Sequence, residues 1–130
     1  MRFLLDTHAF LWFIAGDPKL SQRARQLIED VTNDRFVSIA SFWETAIKVS
    51  KNRLTLFQPF EILIPQHMGR NGFLPLGITF SHTVEISKLP PGRTHLDPFD
   101  RLLVAQAIVE QISIISIDDK LDDYGIHRIW

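Results

Sequence analysis

Short apolar runs alternate with helical patterns along this chain, and the alternation constrains the fold more than any other feature. Residues 2–5 (RFLL), 35–40 (RFVSIA) and 112–117 (ISIISI) are too short for helices and are typical of buried strands. Helical patterns lie between them. Because parallel strands need crossover connections, this order predicts an α/β protein with three α/β/α layers and a mainly parallel central sheet.

The other predicted elements follow from helical periodicity and from turn residues. Gly16 closes the first helix, and one face of the second helix is apolar, with Leu20, Ala24, Leu27, Ile28 and Val31. The predicted helices cover residues 7–16, 20–34, 41–52, 59–64 (ending before Pro65), 80–89 and 97–111, and further extended segments cover 73–79 and 126–130.

Length and composition restrict the possible classes of protein. With 130 residues and 45% hydrophobic composition, residues 1–130 are expected to form a single domain. The chain has neither an apolar run long enough to span a membrane nor a signal-peptide pattern, so a cytoplasmic protein without a membrane partner is expected. Cysteine is absent, which leaves only oxygen and imidazole ligands for any metal ion.

Acidic residues occur where predicted strands end or predicted helices begin. Asp6 ends the first strand, Asp118 follows the late strand, and Glu44 and Asp100 lie in the first turns of two helices. In open parallel sheets, sites form at the carboxyl ends of the strands. The carboxylates are therefore expected to converge there.

A cluster of carboxylates favours a hard divalent cation, Mg²⁺ or Mn²⁺. Such an ion binds phosphate oxygens and activates water, so the pattern predicts hydrolysis of phosphodiester bonds by metal-activated water. Each acid also has a structural explanation: Asp6 can cap the first helix, Ser41 and Glu44 have capping-box spacing, and the acids from Asp118 onward can form a solvated turn. Their joint placement at one edge favours a functional cluster.

Two aspartates open the HLDPFDRLLVAQA segment. Asp97 precedes Pro98 and has the pattern of a helix N-cap followed by proline. Asp100 gains little from the helix dipole alone, which makes it the stronger candidate ligand. Whether Asp97, or Asp119 beside Asp118, takes part in metal binding stays open at this level.

Some basic and aromatic residues are candidates for binding roles. The possible contacts to a phosphodiester substrate are Arg101, His95, Lys48, Lys51 and Arg53. The first helix has hardly any polar face, so Phe10, Trp12 or Phe13 is expected to be partly exposed until a partner protein covers it.

The segments LLDTH, SFWETAIK, HLDPFDRLLVAQA and SIDDKLDDYGI, in this order, resemble the PIN domain, in particular the VapC-type toxins of type II toxin–antitoxin systems. The resemblance implies a PIN-like fold. It also implies metal binding and catalysis by Asp6, Glu44, Asp100 and Asp118. Thr7 and Ser116 are implied as possible supporting hydroxyls, and Asp97 belongs to the DPFDR variant of the motif.

The same resemblance implies a Mg²⁺-dependent endoribonuclease toxin that a small VapB-like antitoxin silences and that forms a homodimer. Two other functions are compatible with parts of the pattern. A receiver-like phosphoacceptor domain would need a lysine at a late strand end, near Lys120, but Glu44 lies in a helix and the acidic pair near the first strand is missing. A catalytically inactive metal- or RNA-binding module is the second alternative.

Overall fold

The computed structural model describes residues 1–92 and 96–130, which form one parallel sheet with helices packed on it. The strands lie in the order β3-β2-β1-β4-β5, and all the neighbouring pairs are parallel. Their bounds are β1 (Arg2–Leu5), β2 (Asp34–Ser38), β3 (Leu74–Leu76), β4 (Ser113–Ile115) and β5 (Arg128–Ile129).

Helices connect the strands, as parallel pairing requires. Their bounds are α1 (Thr7–Ala15), α2 (Gln22–Glu29), α3 (Ile39–Ser50), α4 (Phe60–Asn71), α5 (Phe80–Lys88) and α6 (Pro98–Glu110), with a short 3₁₀ helix at Asp119–Tyr124. No helix formed by the described residues is both long and apolar enough to cross a membrane.

The central strand β1 divides the core into two halves. Phe3 and Leu5 pack on one face with residues of α1, α2 and α4, whereas Leu4 packs on the opposite face with Leu103 and Val104 of α6. All five side chains are at most 2% exposed. The predicted three-layer α/β/α arrangement with a parallel sheet is confirmed.

The strand order creates a crevice between β1 and β4. From β1 the chain adds β2 and β3 on one side, and it later returns to place β4 and β5 on the other side. Leu5 pairs with Ile115, and the Asp6 amide immediately beyond donates a hydrogen bond of 3.1 Å to the Ile115 carbonyl. Parallel sheets bind ligands where their strand order reverses in this way.

Helix α3 begins earlier than predicted. Ser38, the last residue of β2, is the N-cap, and its Oγ accepts a 3.0 Å hydrogen bond from the Ala40 amide. Ser41 is therefore inside the helix and buried, and the predicted capping box with Glu44 is wrong. Glu44 is consequently in the second turn, facing the crevice side of the sheet.

Two other helix boundaries also differ from prediction. Helix α4 continues through Pro65 to Asn71, because Leu63, Ile64 and His67 are buried against the sheet and their packing outweighs the hydrogen bond that proline cannot donate. Helix α2 ends at Glu29, and Val31 is 78% exposed, so the predicted apolar face does not reach that far.

A buried arginine closes the amino edge of the sheet. The Arg35 guanidinium, in a residue only 5% exposed, donates hydrogen bonds to the carbonyls of Ile28 (2.7 Å), Asn71 (2.6 Å) and Asn33 (3.3 Å). It also lies 5.2 Å from the centre of the Phe73 ring. These contacts tie the ends of α2 and α4 to the start of β2.

Candidate active site

Asp6 occupies the junction between β1 and α1. It is the N-cap of α1, and its Oδ1 accepts a 2.7 Å hydrogen bond from the Ala9 amide. The residue is 6% exposed, and this burial raises the pKa of its carboxyl group above the ordinary value, although hydrogen bonds from Ser116 and Ala9 oppose the shift. The cap predicted for Asp6 is confirmed, and its carboxylate also faces the crevice.

Ser116 connects the ends of β1 and β4. Its buried hydroxyl hydrogen-bonds the Asp6 carboxylate, and its Oγ accepts a 3.0 Å hydrogen bond from the Asp118 amide. Strand β4 ends at Ile115, so Asp118 does not directly follow the strand as predicted. It caps the 3₁₀ helix instead, accepting a hydrogen bond from the Lys120 amide at 3.1 Å.

Glu44 reaches the same region from α3. The Thr7 hydroxyl donates a 2.6 Å hydrogen bond to Glu44 Oε1, and Thr7 Oγ1 lies 2.9 Å from Ser41 Oγ. Lys48 Nζ lies 2.9 Å from Glu44 Oε2. Both carboxylate oxygens of this buried residue are thus engaged, and the two hydroxyls implied by the resemblance, on Thr7 and Ser116, each contact a predicted acid.

The two aspartates of α6 have separate positions. Asp97 is exposed and caps the helix, accepting a 2.8 Å hydrogen bond from the Asp100 amide, as predicted. Asp100 is partly buried, and burial, followed by the charges of Asp97, Glu44, Asp118 and Asp6, raises its pKa to about 7. The predicted acids therefore interact electrostatically around Asp100. Asp118 is among the acids whose charges raise the Asp100 pKa, and Asp119 is exposed.

The donor set fits a hard divalent cation, because it consists of carboxylate oxygens, and burial raises the pKa of two of its members, Asp6 and Asp100. However, no group of three or more His, Asp or Glu side chains within residues 1–92 and 96–130 is arranged closely enough to hold an ion. The predicted acids therefore lie close enough for their charges to interact, but they are not arranged closely enough to share one ion.

The predicted RNA-contacting residues have different environments. Lys48 is paired with Glu44, whereas Lys51 and Arg53 are exposed just beyond α3. The Arg101 guanidinium donates to the carbonyls of Leu89 (3.3 Å) and Pro90 (3.2 Å), so it fastens the preceding segment to α6. His95 lies outside the described residues.

The expectation that at least one aromatic residue of α1 is partly exposed is confirmed for Trp12 and Phe13. Phe10 is 1% exposed and belongs to the core. Trp12 and Phe13 are half-buried, and the Trp12 ring lies 6.0 Å from that of Trp130. Only a part of each ring is available to a partner.

One aromatic contact beside the acids was not predicted. The rings of Trp43 on α3 and Phe99 on α6 lie 5.1 Å apart at an angle of 76°, and Trp43 is 58% exposed. The two residues are far apart in sequence, so periodicity could not pair them. The available signal was that each aromatic residue directly precedes or closely follows a predicted acid, Glu44 or Asp97.

The profile of the PIN domain matches residues 3–126. The chain belongs to the PIN domain family. This PIN domain is 36% identical over 59 residues to the ribonuclease VapC16 of Mycobacterium tuberculosis H37Rv. That alignment includes 45% of this chain but only 42% of the relative, so the chain matches less than half of the relative's length.

Solved structures of other proteins share the fold of this PIN domain. A chain in the Rickettsia felis VapBC2 complex bound to promoter DNA superimposes with a TM-score of 0.74 and 16% identity, covering 99% of this chain and 98% of that one. DNA-bound VapBC from Salmonella typhimurium gives a TM-score of 0.72 and 15% identity, covering 99% and 97%. At these identities the likeness establishes the fold, including the predicted PIN-like architecture.

Proposed function

We propose that this PIN domain is a metal-dependent endoribonuclease and the toxin component of a type II toxin–antitoxin system. The observation that carries the proposal is the placement of Asp6, Glu44, Asp100 and Asp118, from four separate elements, at the crevice between β1 and β4. Burial and the charges of the other acids also raise the pKa of Asp100, a perturbation that is typical of functional sites. The similarity to the ribonuclease VapC16 and the VapBC folds supports RNA as substrate.

In this proposal Asp6, Asp100 and Asp118 hold the ion, and Glu44 completes the acidic set. A bound Mg²⁺ or Mn²⁺ would neutralise phosphate charge and lower the pKa of water. The chain itself orients the acids: Ser116 fixes Asp6 relative to Asp118, and Thr7 and Lys48 fix Glu44. Asp97 sets the start of α6 and thereby the position of Asp100.

The proposed partners follow from the family resemblance and from the complexes that share the fold. A VapB-like antitoxin would silence the enzyme, and the half-buried rings of Trp12 and Phe13 are candidates for part of its contact surface. The active form would be a homodimer in which residues 1–130 of each subunit form a single nuclease domain. It would act on RNA in the cytoplasm. Size-exclusion chromatography with and without the co-expressed antitoxin tests these assemblies.

A cleavage assay tests the activity. Purified protein with Mg²⁺ or Mn²⁺ should cut single-stranded RNA to leave 5′-phosphate and 3′-hydroxyl ends, because water and not the RNA 2′-hydroxyl is the nucleophile. EDTA should abolish cleavage. Cyclic phosphate ends, or cleavage that survives the chelator, would refute this mechanism.

Substitutions separate the nuclease from an inactive binding module. Asp100→Asn should abolish both RNA cleavage and Mg²⁺ binding measured by calorimetry. Glu44→Gln should also abolish cleavage. Loss of Mg²⁺ binding in Glu44→Gln would show that Glu44 is a ligand, and retained binding would show that it orients water. Asp119→Asn is the matched control, since Asp119 is an exposed aspartate next to Asp118 and its substitution changes the net charge equally. Mg²⁺ binding without RNA cleavage by the wild type would favour the inactive module.

A further inference from the structure

A groove extends from the acidic cluster along α3. It has a volume of about 270 Å³ and lies between α3 and the start of α6. This α3–α6 groove is lined by Glu44, Lys48, Lys51, Arg53, Asp97 and Phe99, among others. Its walls therefore combine acids, cations and an aromatic ring, which is an unusual mixture for a structural cleft.

Charge is distributed unevenly along the α3–α6 groove. Glu44 and Asp97 lie at the end that belongs to the acidic cluster, and Lys51 and Arg53 lie beyond the last turn of α3. Glu44 and Lys51 are separated by about 10 Å along the helix axis at the usual rise per residue. Neither Lys51 nor Arg53 forms a salt bridge with any residue that the structure describes.

The cations differ in how free they are to bind an anion. Lys48 is neutralised locally by Glu44 at 2.9 Å, so it stabilises the acid and does not offer a free positive charge. Lys51 and Arg53 are exposed and face the same groove. An anionic ligand that enters from the acidic cluster would meet its compensating charges only at this far end.

The aromatic pair forms one wall. Phe99 lines the α3–α6 groove, and the indole of Trp43 packs on it with ring centres 5.1 Å apart. Trp43 nevertheless leaves 58% of its surface exposed, although burying such a ring is normally favourable. Exposed aromatic rings beside unpaired cations are the elements with which proteins bind single-stranded nucleic acid, by stacking bases and contacting phosphates.

We infer that the α3–α6 groove is the subsite for the nucleotide next to the cleaved bond. In this arrangement the scissile phosphate lies at the acidic cluster, a neighbouring base stacks on the Trp43–Phe99 pair, and Lys51 and Arg53 contact a following phosphate. The substrate is consequently single-stranded at this position, because a base paired in a duplex must first unpair and unstack, at a cost in free energy, before it can stack on protein rings. This inference rests on the proposed ribonuclease function.

The first test measures binding of a 5′-fluorescein-labelled, mixed-sequence single-stranded RNA by anisotropy in EDTA, where cleavage is stopped. Lys51→Ala/Arg53→Ala should weaken binding at low salt. It should also make the slope of log K against log salt concentration less steep by about 1.4, or ~0.7 for each phosphate that the variant no longer neutralises. Arg53→Ala alone should account for about half of the change in slope.

Arg70→Ala is the matched control for Arg53→Ala. Arg70 is an exposed arginine in the last turn of α4, at the opposite edge of the sheet, so its removal changes the net charge equally. It should leave affinity and salt dependence close to those of the wild type. Equal effects of Arg53→Ala and Arg70→Ala would mean that only overall charge matters, and this would overturn the inference.

The second test concerns the aromatic wall. RNA should quench the fluorescence of Trp43, and the quenching should be lost in Trp43→Ala, because Trp12 and Trp130 pack together elsewhere. Trp43→Ala should weaken binding by about 5- to 100-fold, the range for losing one base–aromatic stack. An RNA duplex of the same sequence should bind more weakly than the single strand and should not quench Trp43. Unchanged quenching or unchanged affinity in Trp43→Ala overturns the inference.

Steady-state cleavage with Mg²⁺ separates the subsite from the chemistry. The variants at Lys51, Arg53 and Trp43 should raise KM more than they lower kcat, since they contact RNA away from the acids. If wild-type protein cleaves RNA but these variants match Arg70→Ala, only the inference fails. If wild-type protein does not cleave RNA, the proposed function fails, and the binding tests decide by themselves whether the groove holds single-stranded RNA.

Discussion

The two edges of the sheet bury charge in opposite ways. At the amino edge, the cationic Arg35 donates hydrogen bonds to three backbone carbonyls and packs on Phe73. At the carboxyl edge, the buried Asp6 and the partly buried Asp100 lie among other acids, and the pKa of each is raised. A buried charge is tolerated when protein groups satisfy it, and it destabilises the fold when they do not.

The difference separates structural charge from functional charge. Arg35 is buried and donates three hydrogen bonds to backbone carbonyls, so its charge serves the fold. The negative charge of Asp100 is repelled by the neighbouring acids and would be stabilised by an added cation. Without the cation, this repulsion lowers the free energy of unfolding. Removing a buried charge should therefore have opposite consequences at the two edges.

The largest effect is expected at the amino edge. Arg35→Met leaves the carbonyls of Ile28 and Asn71 without their donor, and it should lower the free energy of unfolding by about 3–5 kcal/mol. Urea denaturation measures the loss. Arg23→Met on the exposed face of α2 is the control and should change stability by less than about 0.5 kcal/mol. A loss below about 1 kcal/mol for Arg35→Met would contradict the contrast.

At the carboxyl edge, removing the charge of Asp100 should stabilise the fold, and the effect should depend on pH. Folded Asp100 holds its proton up to about pH 7, whereas an unfolded aspartate releases it near 3.8, so rising pH favours the unfolded state across this window. In EDTA, the wild-type Tm should be at least about 3 °C lower at pH 8 than at pH 5. Asp100→Asn should reduce this fall and melt no lower than wild type at pH 8.

Asp122→Asn serves as the control for the pH experiment. A hydrogen bond from Arg128 lowers the pKa of Asp122, so this aspartate contributes stability that is present above pH 3.8 and is lost as pH falls further. Its substitution should leave the fall between pH 5 and pH 8 unchanged. Equal behaviour of the two variants would show that Asp100 is not the group that titrates.

Hydrogen bonds within the acidic edge should have intermediate effects. Thr7→Val keeps the shape of the side chain but removes the donor to Glu44, which should lower the free energy of unfolding by about 1–3 kcal/mol. Thr83→Val, which removes an exposed hydroxyl bonded to the Phe80 carbonyl, is the control and should cost less than about 0.5 kcal/mol. A neutral Thr7→Val would mean that Glu44 is satisfied without Thr7.

The smallest effects are expected for the exposed cap of α6. Asp97→Ala should lower the free energy of unfolding by about 0.5–2 kcal/mol, and Asp97→Asn should be close to neutral, since asparagine caps equally well. Because the Asp97 charge helps to raise the Asp100 pKa, Asp97→Asn should lower that pKa in an NMR titration. Loss of cleavage in Asp97→Asn with cleavage retained in Asp100→Asn would show that the two roles are reversed.

Local signals predicted the parts of the fold that depend on neighbouring residues. The Asp97–Pro98 cap and the end of α1 at Gly16 each depend on one or two adjacent residues, and both are confirmed. The alternation of strands and helices predicted a parallel sheet, and the positions of Asp6 and Asp100 relative to it predicted the edge at which the acids lie.

Features that depend on tertiary contacts were predicted poorly or not at all. Helix α4 passes through Pro65 because its buried face determines its length. Ser38 and Ser41 are equally good caps in isolation, and only the end of β2 selects Ser38. Neither the Arg35 contacts nor the Trp43–Phe99 pair has a local pattern, since each joins separate elements.

The central position of β1 has a consequence for synthesis of the protein. Strand β1 leaves the ribosome before the other four strands, yet one of its two neighbours is β4, whose pairing with Leu5 requires Ile115 to have been made. Nonlocal pairing of this kind cannot form on a short nascent chain. Translation products that end before β4 therefore lack the crevice at Asp6, and a cell that makes this chain is exposed to a formed acidic site only after β4 and Asp118 have been translated.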